Sequence, residues 1–360
     1  MKIFAALVAL VVAAVTSIDA AGCELTGTYN PSTAASVMLR CKAITVSNLS
    51  VPGGVTLDLT KLQSGSVVTF KGTTKFGFKN WEGPLLAVAG NKITLDGTGA
   101  TLDGQGALYW DGKGGNGGVK KPKFFKTSKL VGSTIKGFKL LNTPVHAISI
   151  NGVTDTKYLG ITIDNKAGDA KGHNTDAFDV GSSSGILIDG AVVYNQDDCL
   201  AINSGTDITF SNGYCSGGHG LSIGSVGGRS DNVVKKVTIT DSKIVNSDNG
   251  IRIKTVSNAK GSVSSVTYAN IHLENITKYG IVVEQDYLNG GPTGKPTNGV
   301  PITDVTLNNI TGSVAAKATN TYILCAQGAC SNWHWTGVNV AGGKHSDKCS
   351  YIPAGSNAKC

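Results

Sequence analysis

Short β-branched triplets recur down this chain: Ile161-Thr162-Ile163, Ile186-Leu187-Ile188, Ile208-Thr209-Phe210, Val237-Thr238-Ile239, Val266-Thr267-Tyr268 and Val305-Thr306-Leu307. A second apolar alternation aligns on Ile148, Phe178, Leu200, Leu221, Ile251 and Ile281, at steps of 30, 22, 21, 30 and 30 residues. Periods of this size, with one supersecondary unit each, mark a solenoid in which every unit buries its apolar face against its neighbours. The units are strands of three to five residues parted by turns, with no convincing amphipathic helix beyond the first twenty residues. The expected fold is therefore all-β, a right-handed parallel β-helix forming a single domain over residues 21–360. A two-sheet sandwich is the competing architecture, and hairpin signals do not dominate as it would require. Glycine, 48 of 360 residues, is about twice as common as usual, which suits tight turns between coils. Asparagine-rich turns, at Asn308-Asn309 and Asn246, are expected to form side-chain ladders, and residues 23–40 to cap the first coil.

The chain opens with Lys2, an unbroken apolar run over residues 3–15 and small residues at Ala20 and Ala21. This reads as a secretory signal over residues 1–20, too short to span a bilayer, and implies export to the extracellular space. All eight cysteines lie beyond it, an even number in an oxidising compartment, so four disulfides are expected. Spacing does not fix their connectivity, and no Cys-x-x-Cys pair suggests a metal site. Asn48-Leu49-Ser50, Asn275-Ile276-Thr277 and Asn309-Ile310-Thr311 are glycosylation sequons. A net charge of +8 and a pI near 9.0 favour polyanions. Scattered basic residues without an aromatic stacking array argue against nucleic acid, and an acidic extracellular polysaccharide fits export better.

Register places the chemistry. With Phe178, Leu200, Leu221, Ile251 and Ile281 at position zero, strand alternation sends positions zero and plus two inward. Plus one and plus three then face out, which puts Arg252 and Lys254 on one face of one strand. Asp176, Asp198 and His219 all fall at minus two on three successive coils, about 4.8 Å apart per step. Burying three such groups in an apolar interior is prohibitive, so minus two must belong to a turn. A turn or bulge is also needed for the consecutive Asp197 and Asp198 to serve one site. Like charges this close resist full ionisation, so one of Asp176, Asp197 and Asp198 is expected to hold its proton above the usual Asp value of about 3.9. A protonated carboxyl beside ionised ones is what acid–base cleavage of a glycosidic bond requires. Arg252 and Lys254 would clamp a substrate carboxylate, and Tyr287, just past the next strand, would contact the same sugar. His146 shares the minus-two column one coil earlier, without motif neighbours, and is read as structural.

The clusters NTDAFD at residues 174–179, NQDD at 195–198, GHG at 218–220 and RIK at 252–254 resemble those of the polygalacturonases, the pectin-hydrolysing glycoside hydrolases of family 28. The likeness runs over residues 23–360. It implies local disulfide pairing, 23–41, 199–215, 325–330 and 349–360. It implies Asp197 as general acid, Asp176 and Asp198 as the pair activating water, and His219 as a residue that tunes the acid or positions substrate. Arg252, Lys254 and Tyr287 would bind the sugar next to the scissile bond. The implied reaction is inverting hydrolysis of α-1,4-galacturonan with neither metal nor other cofactor, by a secreted monomer acting on polygalacturonate or pectin. Plant proteins of the polygalacturonase-inhibiting class are the implied protein partners. Short coils around the cleft point to endo rather than exo action. An exo enzyme, a calcium-dependent pectate lyase on the same scaffold and a catalytically silent pectin-binding homologue are the alternatives, separable by the products formed.

Overall fold

A computed structural model describes residues 20–289 and 291–360; the expected signal segment therefore lies outside the described residues except at Ala20. Among the described residues the strands pair exclusively in parallel and form one continuous 29-stranded ladder that winds as a parallel β-helix. The winding has a simple origin. Each coil supplies short strands whose side chains alternate, so one face of every strand enters a shared interior while its backbone bonds to the coils before and after.

One face of the solenoid carries the strands that matter for the site: β1 (Ile148–Asn151), β2 (Phe178–Gly181), β3 (Leu200–Ile202), β4 (Leu221–Val226), β5 (Asn249–Val256), β6 (Tyr279–Tyr287) and β7 (Thr319–Leu324). Their register runs Ile148, Phe178, Leu200, Leu221, Ile251, Ile281 and Thr321, the expected alignment throughout its shared length. The plus-two column, Val180, Ile202, Ile223, Ile253 and Val283, is fully buried beside it. Phe178 meets Phe210 from the neighbouring face edge-on at 6.4 Å between ring centres, filling the interior at this coil.

The outward columns do leave the interior, but much of them is not solvated: Ser222, Val282, Lys254 and Glu284 are buried, while Asp179 and Arg252 are partly exposed. A helix is present, contrary to expectation. α1 (Pro31–Arg40) starts on an Asn30 side chain that accepts from the Ser32 and Thr33 amides, has Pro31 in its first turn, and buries Ala34, Val37 and Met38 over the first coil. Residues 23–40 thus cap the solenoid as expected, with Cys41 bonded to Cys23. The other bridges are 199–215, 325–330 and 349–360, the pairing that the resemblance implies. Asparagine ladders also form: Asn275 donates to Asn246 at 2.8 Å, and Asn309 to Asn270 at 2.9 Å. All four residues adopt the left-handed backbone that asparagine tolerates.

Candidate active site

Strands β2, β3 and β4 each begin at position zero, so Asp176, Asp198 and His219 belong to the turns that precede them. Freed from strand alternation, these side chains enter the cleft. The two acidic turns are knitted together. Asn195 donates to the Thr175 and Asp198 carbonyls at 2.9 and 3.0 Å, and the Gln196 amide donates to the Thr175 hydroxyl at 2.8 Å. The same turn lets Asp197 and Asp198 share one site, and Cys199, bridged to Cys215, ties it to the next coil.

The glycines around His219 answer to backbone crowding. A side chain at Gly218 would strike the Asp197 carbonyl, while Gly220 has φ +84° and no room against the Asn249 carbonyl. His219 is thereby drawn close to the preceding turn. Its amide donates to the Asp197 carbonyl at 2.9 Å, and its Nδ1 lies 2.9 Å from Asp197 Oδ1. On the other side, Nε2 is 3.5 Å from Asp248.

The three carboxylates occupy different surroundings. Asp197 accepts from Asn174 at 3.0 Å and from the Asp198 amide at 2.8 Å, besides facing His219. Burial alone would raise its pKa, but the His219 bond and charge, with Lys254 behind them, hold it below the ordinary carboxylate range. Asp198 accepts from the Ser222 hydroxyl at 2.6 Å and from Lys254 at 2.7 Å. Asp176 has neither kind of support. Its Oδ1 is buried without a hydrogen-bond partner, and burial together with the charges of Asp197, Asp179 and Asp198 pushes its pKa well above 3.8. Of the expected trio, then, Asp176 is the one that holds its proton above the ordinary carboxylate range. His219 moves upward, since Asp197, Asp198 and Asp248 outweigh the lowering effect of burial.

Arg252 and Lys254 share a face of β5, as expected. Each already has an anionic partner: Arg252 reaches Glu284 at 3.1 Å and Lys254 reaches Asp198. The Tyr287 ring lies beside both, its centre 5.6 Å from the guanidinium carbon and 5.4 Å from the ammonium. All seven expected residues are therefore assembled in one cleft. Sequence reasoning passed over Asn174, Asp179, Ser222 and Glu284. Asn174 and Asp179 lie within the NTDAFD cluster, while Ser222 and Glu284 occupy outward columns whose partners are visible only in three dimensions. His146, read as structural, enters the cleft as well: its Nδ1 is 3.0 Å from Asp179 and its Nε2 3.8 Å from Asp176. The donor atoms of Asp197, Asp198 and His219 fall within 4.8 Å of one another, a spacing a cation could use, but Lys254 already supplies a positive charge there.

Hollows of about 400 and 260 Å³ flank the acid column. The first, toward the N-terminal coils, is lined in part by Lys123, Lys126, His146 and Arg229. The second, toward the C-terminal coils, is lined in part by His219, Arg252, Lys278, Tyr279 and Tyr322. A carboxylate column with an imidazole, in a cation-lined groove on a parallel β-helix, defines a polysaccharide-cleaving enzyme of the acid–base type. The chain belongs to the glycosyl hydrolases family 28, which it matches over residues 41–360. It is 61% identical over 322 residues, 89% of this chain and 88% of the relative, to endopolygalacturonase 1 of Colletotrichum lindemuthianum. It is 58% identical to a polygalacturonase of Cochliobolus carbonum, covering 97% of this chain and 96% of that one. Among solved structures it resembles endopolygalacturonase I from Stereum purpureum complexed with two galacturonate, with a TM-score of 0.82 at 38% identity, over 91% of this chain and 99% of the other.

Proposed function

We propose that the protein is a secreted endo-polygalacturonase that hydrolyses α-1,4-galacturonosyl linkages of de-esterified pectin with inversion. The observation that carries this is the placement of the Asp176, Asp197 and Asp198 carboxylates beside two cations on the adjoining strand. The column supplies proton transfer, and the cations select a sugar bearing a carboxylate. The relatives' names, and the galacturonate in the Stereum purpureum complex, support that substrate class.

In this reading the substrate carboxylate draws Arg252 and Lys254 toward itself. Lys254 is one of the charges that depress the Asp197 pKa, so its neutralisation lets Asp197 take up the proton it shares with His219. Asp197 then gives that proton to the glycosidic oxygen as the bond to the anomeric carbon breaks. Water attacks the opposite face of the sugar and loses its proton to the Asp176–Asp198 pair. No covalent sugar–protein bond forms, and the anomeric configuration inverts.

Endo action is supported by the hollows on both sides of the column, which offer room for sugar units on either side of the scissile bond. Product analysis on polygalacturonate is the test. Oligomers of mixed length at early times support the proposal. Monomer alone would indicate exo action, unsaturated ultraviolet-absorbing ends a lyase, and no products a silent binding protein.

A further inference from the structure

His146 and Asp179 lie outside the roles assigned so far, yet they form the second imidazole–carboxylate pair of the cleft. The minus-two column read along the axis is His146, Asp176, Asp198 and His219, so a histidine stands at each end of the acids. His219 serves Asp197 at one end. At the other, the His146 main chain is fixed on both sides: its carbonyl accepts from the Phe124 amide at 3.0 Å, and the next residue, Ala147, donates to the Asp176 carbonyl at 2.7 Å. The ring is therefore held over the Asp176 side chain. Asp179, at plus one on β2, meets Nδ1 at 3.0 Å, which leaves Nε2 directed to Asp176 Oδ1 at 3.8 Å. That oxygen has no hydrogen-bond partner, and Asp179 Oδ2 likewise meets Nδ1 as an ion-pair contact and not in hydrogen-bond geometry.

We propose that His146, oriented by Asp179, is a positioning residue that fixes the side chain and the ionisation of Asp176. The inference rests on the assignment of Asp176 to the water-activating pair. A buried carboxyl facing other acids must still surrender its proton to act as a base, and a cation 3.8 Å away favours that loss. The charges bearing on this arrangement come from several elements. Asp179 and Asp176 favour the imidazolium and outweigh burial, raising its pKa to about 9, while Lys123, from the preceding coil, opposes it. Lys126 and Arg229 line the same hollow farther out. Asp197, Asp198 and Asp179 face Asp176 and raise its pKa, and His146 lowers it.

The test combines pH–rate profiles with a titration. In His146→Gln, the acidic limb of kcat/KM on polygalacturonate should move up by about one pH unit, a loss of about tenfold on that flank, with the plateau largely retained. Asp179→Asn should not move the limb upward, because it removes a negative neighbour of Asp176, but it should lower the imidazole pKa. In the intact wild-type protein, the His146 imidazole followed by NMR should remain protonated above pH 7. A His146→Gln limb that stays in place, with activity reduced equally at every pH, would overturn the proposal. So would a wild-type His146 that titrates near 6.5. A shift of the alkaline limb instead would keep the influence of His146 on Asp176 and reverse the acid and base roles. A wild-type protein inactive on polygalacturonate would refute the proposed activity while leaving the titration readable.

Discussion

Replacing Lys254 by Met keeps a long unbranched side chain and removes one charge from the floor of the cleft. The two side chains of its ion pair with Asp198 are only 7% and 3% exposed, and Nζ and Oδ2 are 2.7 Å apart. The change leaves a buried carboxylate with Ser222 as its remaining side-chain donor. Breaking one half of such a pair costs about 3–5 kcal/mol. For a chain of this length the unfolding entropy is roughly 0.7 kcal/mol per kelvin, so the melting temperature should fall by about 4–7 °C. Catalysis loses a charge-assisted bond to the substrate worth about 1.5–3 kcal/mol, roughly ten- to a hundredfold in kcat/KM on polygalacturonate. The catalytic penalty should shrink on highly methyl-esterified pectin, where the recognised carboxylate is capped. Adding Asp198→Leu to the Met variant should recover much of the stability and none of the activity, since a buried pair can be exchanged for apolar groups but a carboxylate that takes a proton from water cannot. Calorimetry and kinetics on pectins of graded esterification provide the measurements. A melting shift under about 1 °C would refute the buried-pair reading, and equal kinetic losses on every pectin would refute the clamp.

Arg252→Lys should also weaken kcat/KM on polygalacturonate, because an ammonium cannot form the two parallel bonds of a guanidinium; wild-type kinetics would remove Arg252 from carboxylate recognition. Asp197→Asn should lower kcat by orders of magnitude with little change in KM, as it deletes a proton without altering shape, and near-normal turnover would rule out Asp197 as the acid. His219 has a raised pKa, so its ion pair with Asp197 stabilises the fold fully below the unfolded value near 6.5 and is lost as pH rises through the higher folded value. The stability deficit of His219→Asn, measured by urea unfolding, should accordingly be larger at pH 5 than at pH 9; the opposite order would contradict the charged pair. Hydrolysis should persist in EDTA, whereas activity lost to the chelator and restored by Ca²⁺ would move the chemistry to the lyase class.

Much of this architecture is legible from residue order, because solenoid columns repeat the same local rule. The inward column from Ile148 to Ile281 could be aligned by period alone, and the misfit of Asp176, Asp198 and His219 with that rule pointed to the turns. α1 escaped detection although Asn30 and Pro31 form a recognisable start, since its ten residues expose only a small apolar face. Ion-pair partners were less accessible. Glu284 meets Arg252 across one coil, and His146 meets Asp179 across another, so the relevant spacing is set by coil length and side-chain reach. Which acid has its pKa raised also depended on geometry: Asp197 is surrounded by donors, while Asp176, one turn away, has an oxygen with none.

The in-register ladder has an evolutionary consequence. Because cleft walls and interior columns advance together, one rung of each per coil, the groove acts as a ruler marked in steps of about 4.8 Å. Duplicating a coil on the N-terminal side of the Asp176 turn would add one mark to that ruler while continuing the apolar stack beneath it. Polymer reach can thus lengthen or shorten by whole coils, with the bond-breaking chemistry left untouched a fixed number of rungs away.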